Sequence, residues 1–147
     1  MRLIHLITAL ALTSGILPLL ARAADGASVQ ALLISASNSK GGSDPRLAAY
    51  ESTLRRNLPL NTFRLVGEGA TSVAAGGKSS ISLGRGHRLD LQSEKGDGGG
   101  IRLKVEWTNG NKTVISTSLI LKSGVPAVLG RRGGDEGEVP VVLLIAK

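Results

Sequence analysis

The residues best equipped for chemistry are basic. Arg85, His87 and Arg88 stand on or beside a tight Gly84-Arg85-Gly86 turn, and Arg131 and Arg132 open a second, glycine-rich loop from Gly130 to Gly137. The planar guanidinium fork of arginine matches a phosphate or carboxylate with two parallel charge-assisted hydrogen bonds. If the two turns share one end of the fold, Arg85, His87, Arg88, Arg131 and Arg132 together form an anion-binding rim. Asp135, Glu136 and Glu138 oppose this by neutralising the second arginine pair within its own loop.

Catalytic chemistry finds little to build on. The chain contains no cysteine, which removes disulfides, thiolate nucleophiles and cysteine metal sites together. His87 is the one histidine after residue 23, and no Gly-x-Ser-x-Gly elbow accompanies it. A structural zinc site needs several ligands and a serine relay needs its base, so no catalytic residue, no metal ligand and no cofactor is assigned. Asp90 and Glu94 are the carboxylate pair on which a small hydrolase would rest, although solvated strand carboxylates are the ordinary reading of such a pair.

Two further motifs dissolve on inspection. Gly76-Gly77-Lys78-Ser79 looks like the end of a phosphate-binding loop, but the leading glycine would fall at Ser72, and strand-like Ile81 to Leu83 follows where a helix is required. Asn111-Lys112-Thr113 is a glycosylation sequon placed at a hairpin turn, meaningful only in a eukaryotic secretory route.

The compartment is read from the first residues. Arg2 precedes the apolar run Leu3 to Leu12, then come Gly15, Pro18 and Ala21-Arg22-Ala23, with small residues at the two positions that a signal peptidase reads. This pattern predicts a signal peptide over 1–23, cleavage after Ala23, and export to the periplasm or outside the cell. A retained anchor is the competing reading, weakened by Gly15, Pro18 and the Thr13-Ser14 pair. No later stretch is long enough to span a bilayer, so no integral membrane segment is expected after processing.

Residues 24–147 have the length of one domain with a single core. The net charge of the 147-residue chain is +7, and removing Arg2 and Arg22 with the leader lowers it by two. Such an excess suits anionic envelope polymers or lipid headgroups, but basicity by itself argues association and not function. Nucleic acid is not an expected partner. Tyr50, Phe63 and Trp107 are the only aromatic residues, too few for a base-stacking platform.

Positioning of these groups falls to strands. Val29 to Ser35 reads as a buried strand, and Asp44-Pro45 then opens the one expected helix, over about 44–58, with Leu47, Tyr50, Leu54 and Leu58 on one face. Glu51 and Arg55 are spaced to pair, and Pro59 stops the helix. Beyond residue 61 the period becomes two, with Phe63 and Leu65 on one face and Thr62, Arg64 and Val66 on the other. Gly67 to Gly77 reads as a small-residue connection with a short strand near Val73.

The hairpin across Gly84-Arg85-Gly86 links Ile81 and Leu83 to Leu89 and Leu91. Ile101, Leu103, Val105 and Trp107 alternate with Arg102, Lys104 and Glu106 in the cleanest strand, Asn109-Gly110 turns the chain, and Thr113 to Leu121 returns. Trp107 is expected in the core. Short Ala127 to Leu129 and apolar Val139 to Ala146 complete a mainly β, α+β domain. The expected architecture is an antiparallel sandwich or partly rolled sheet of about seven strands, covered by the helix.

Ser118 to Gly130 resembles a stretch of the β-rich core of bacterial secretins, outer-membrane secretion pores, through Leu119, Leu121, Gly124, Val128, Leu129 and Gly130. Pro126 early in the second strand and Arg131 after Gly130 depart from that pattern, and the chain is far shorter than a secretin. Across the helix and the following strands it also resembles uncharacterised small secreted proteins of Gram-negative bacteria, which implies an envelope setting. The expected function is a non-enzymatic exported module that binds or supports an envelope component, an envelope protein or an anionic envelope polymer. An anionic polymer or lipid-headgroup binder and a small carboxylate-dependent hydrolase are the alternatives.

Overall fold

Strand β1 (Ala27–Ser37) forms the spine of the first sheet, because its residues are apolar on both faces. Val29, Ala31 and Leu33 point into one core, whereas Leu32, Ile34 and Ala36 point into another. The computed structural model describes residues 27–94, 100–130 and 137–147, so the expected leader, Arg131 and Arg132 lie outside the described residues.

Two four-stranded antiparallel sheets face each other. The first has the order β2-β1-β8-β7, with β2 (Thr62–Val73), β7 (Ala127–Gly130) and β8 (Val139–Ala146) around β1; the second is the meander β3-β4-β5-β6, from β3 (Lys78–Gly84) and β4 (His87–Glu94) through β5 (Ile101–Asn109) to β6 (Lys112–Leu121). Between the sheets lies the larger core, in which Leu89, Leu91, Leu103, Val105 and Trp107 of the second sheet meet Val142 and Leu144 of β8. The expected mainly β sandwich is therefore the fold, with eight strands among the described residues.

The outer face of the first sheet is covered where the expected helix lies, but that segment is broken. Asp44 accepts the backbone N–H of Arg46 and starts a 3₁₀ turn, Pro45–Leu47, after which α1 covers only Glu51–Asn57. Asp44 thus caps a different kind of helix. Leu47 and Leu54 are fully buried beneath it beside Phe63, Val141 and Leu143, each such burial worth about 1.5–3 kcal/mol. The Glu51–Arg55 pair forms at 2.8 Å, and Leu58 leaves the helix in extended geometry ahead of Pro59.

Strand β2 departs most from the sequence reading. It continues unbroken through the glycine-rich stretch to Val73, and its register against β1 shifts at Leu33/Ile34, leaving Val66 as the extra residue of a bulge. Before the bulge Phe63 and Leu65 pack toward the helix side; from Val66 onward the strand packs toward the second sheet. The small residues permit this turn across the sandwich edge. A Cβ at Gly67 would collide with the carbonyl oxygen of Leu83, and one at Gly69 with the Cγ2 of Ile81.

Candidate anion-binding cleft

The approach of β2 to β3 decides where the basic residues go. With Gly67 lying directly on Leu83, the β3–β4 turn that follows Leu83 is carried over the start of β2. That turn holds Gly84, Arg85 and Gly86 at φ 86°, 53° and 80°, and the positive values at the two central residues, Arg85 and Gly86, match the right-handed twist of the hairpin. Asparagine, aspartate or glycine is the usual occupant of the first central position. Arginine is instead held there, with its long side chain projecting from the tip.

The result is an open cleft of about 490 Å³ whose lining includes Arg46, Arg64 and Arg85, together with Ser43, Asp44 and Glu138. Each arginine comes from a different element: Arg46 from the 3₁₀ turn, Arg64 from β2 before its bulge, Arg85 from the hairpin tip. Arg46 is engaged by Asp44, with Nη2 at 2.6 Å from Oδ2 and Nε at 3.0 Å from Oδ1. Those side-chain bonds from Arg46, then its backbone N–H, hold the Asp44 carboxyl well below the usual carboxylate range; Asp44 in turn raises the Arg46 guanidinium above its ordinary value. Arg64 and Arg85 form no ion pair among the described residues.

Three guanidinium groups against two carboxylates leave the cleft lining net positive. The guanidinium forks of Arg64 and Arg85 are the kind of donor that binds phosphate or carboxylate in pairs.

The expected rim is only partly assembled. Arg85 lies in the cleft, whereas β4 directs His87 and Arg88 to opposite faces of the second sheet. Arg88 lies on the outer face, where its Nε is 3.2 Å from Asp90 Oδ1 and its Nη2 is 3.0 Å from Ser80 Oγ. His87 turns to the core margin, accepting the Trp107 indole N–H at Nδ1. Partial burial, and then the charge of Arg85, lower the His87 pKa from its ordinary 6.5. Arg131 and Arg132 lie outside the described residues.

Arg46 and Arg64 are the cleft residues that sequence reasoning missed. That Arg64 lies on the strand face opposite Phe63 and Leu65 was visible, but nothing local in the sequence places it in a cleft with the Gly84-Arg85-Gly86 turn. The candidate hydrolytic pair is also located: Asp90 is tied to Arg88 and Ser80 on the open face, and Glu94 stands across from Arg102. Asn111 is exposed in the β5–β6 turn, as the sequon reading expects, and Trp107 is fully buried.

Among the described residues no group of three or more His, Cys, Asp or Glu side chains is gathered as a metal site would require, and no helix is long and apolar enough to cross a membrane. Comparison of the chain with protein-family models, with curated proteins and with solved structures returns no match in any of the three.

Proposed function

We propose that the protein is a non-enzymatic, exported β-sandwich module that binds an envelope component through an anionic group, and that the Arg46–Arg64–Arg85 cleft receives that group. The observation that carries this reading is the convergence of Arg64 and Arg85 on one cleft with no ion-pair partner among the described residues. Ordinary surface arginines scatter or pair, as Arg55 and Arg88 do here.

The anionic group is a phosphate or a carboxylate, since both match the guanidinium fork. Export supports an envelope polymer or an acidic face of an envelope protein as its carrier. The hydrolase alternative loses ground because Asp90 is occupied by Arg88 and Ser80 on the outer face of the second sheet.

The test is recovery of envelope material by residues 24–147 at low and high salt, comparing the natural chain with the double variant Arg64→Glu, Arg85→Glu. Material that is retained at low salt, released at high salt and lost in the double variant supports the reading. A partner that survives high salt and ignores the double variant overturns it in favour of an assembly surface elsewhere on the sandwich.

A further inference from the structure

The four sheet edges are not equivalent. β2 is laid against β3 through Gly67, Gly69 and the Thr71–Ser79 hydroxyl contact, so these two edges cover one another along one side of the sandwich. β7 is only four residues long and is preceded by Pro126, both common ways to blunt an edge. β6 has neither protection. It is ten residues long, terminal in its sheet, and among the described residues pairs only with β5.

The core is also unfinished on that side. In β5, Leu103, Val105 and Trp107 are fully buried, but the inward residues Ile115, Thr117 and Leu119 of β6 remain half-buried, and outward Ile120 is 57% exposed. From Thr113 to Leu121 the strand carries no charge and no proline, and its β-branched residues favour an extended partner. A partner strand of opposite charge would find no lysine or arginine along this seam. A second copy would meet no like charge, which matters for a basic chain.

We propose that β6 is a self-association edge, pairing antiparallel with β6 of a second copy about a two-fold axis through Ser118 and joining the two meanders into one eight-stranded sheet. This register keeps inward residues opposite inward residues: Ile115 faces Leu121 and Thr117 faces Leu119, extending the core across the seam. On the outer face Ser116 meets the exposed Ile120, and Ser118 meets its own copy. Lys122 falls opposite Val114 and Lys112 opposite Gly124, so no lysine faces a lysine. The interface is isologous, as two-fold pairing requires, and does not depend on the arginine cleft.

The chain has no cysteine, which makes the register directly testable with Ser118→Cys, a substitution at an exposed side chain. Directly opposed residues of an antiparallel pair have Cα atoms about 4.5–5.5 Å apart, within disulfide reach. The expected result is rapid oxidation of S118C to a covalent dimer, while S82C on the far edge of the same sheet stays monomeric. Amide exchange of the unsubstituted protein gives a second measurement, slowing over Ile115 to Leu121 as concentration rises. S118C that dimerises no faster than S82C, or exchange in β6 that is independent of concentration, overturns the proposal.

Discussion

The indole N–H of Trp107 donates to Nδ1 of His87 at 3.1 Å, with the two rings 5.8 Å apart. Trp107 is fully buried, so this bond satisfies a polar group that would otherwise be stranded at the edge of the core. It also fixes the neutral imidazole with its proton on Nε2, because Nδ1 must accept.

Protonation of His87 therefore opposes the fold. Its folded pKa lies below the ordinary 6.5, owing to partial burial and then to Arg85. Between the two values the unfolded chain binds more protons, so this stability is fully present above about pH 6.5 and declines as pH falls toward the folded pKa. Urea denaturation followed by Trp107 fluorescence should show the midpoint falling from about pH 7.5 to about pH 5.5. His87→Leu should remove that component of the pH dependence, while costing about 1–3 kcal/mol at neutral pH by orphaning the indole N–H.

Gly67→Ala should destabilise the sandwich by about 1–3 kcal/mol, since the new methyl meets the Leu83 backbone carbonyl and cannot be accommodated by a side-chain rotation. Gly41→Ala, where the methyl meets nothing within 4 Å, serves as the control and should leave the denaturation midpoint unchanged. Gly67→Ala should also weaken anion binding, because the same close approach brings the Arg85 turn to the cleft that Arg64 also lines.

Leu54→Ala empties a fully buried position beneath α1 and should cost about 2–5 kcal/mol in equilibrium unfolding. The loss should leave the Trp107 environment unchanged in the folded protein, since Leu54 and Trp107 belong to cores on opposite faces of the first sheet.

Asp44→Asn retains an oxygen to cap the 3₁₀ turn but removes the charge that occupies Arg46. Affinity of the cleft for an anionic probe should rise several-fold in a direct titration. Because Asp44 stays ionised far below neutral pH, mild acidification should not reproduce this gain.

The sequence displayed much of the fold because the signals were local. Period-two alternation in Ile101 to Trp107 marked β5, the Arg85-Gly86 turn marked one hairpin, and Asn109-Gly110 marked another whose turn falls one residue later, at Gly110-Asn111, with Asn109 paired to Lys112. Val139 to Ala146, apolar throughout, was legible as a strand buried on both faces. The continuation of β2 was hidden, because the small residues from Gly67 to Gly77 read as a connection with only a short strand near Val73, and the close approach of β3 explains their size. The broken helix was likewise invisible, since Leu47, Tyr50, Leu54 and Leu58 keep helical spacing on either side of the break. Of the site, Arg85 was legible from its turn. Its companions Arg46 and Arg64 depend on a bulge and a sheet crossing, which are tertiary facts with no local signature.

The central claim is tested most directly by titrating residues 24–147 with long-chain polyphosphate and with polyglutamate by calorimetry at low salt. The natural chain should bind at least one of them, with affinity falling as salt rises, and Arg64→Ser and Arg85→Ser should each weaken binding by about tenfold. Arg88→Ser, on the outer face of the second sheet and outside the cleft lining, should leave it nearly unchanged. Binding that survives loss of Arg64 and Arg85, or that falls only with Arg88, would contradict the assignment of the cleft.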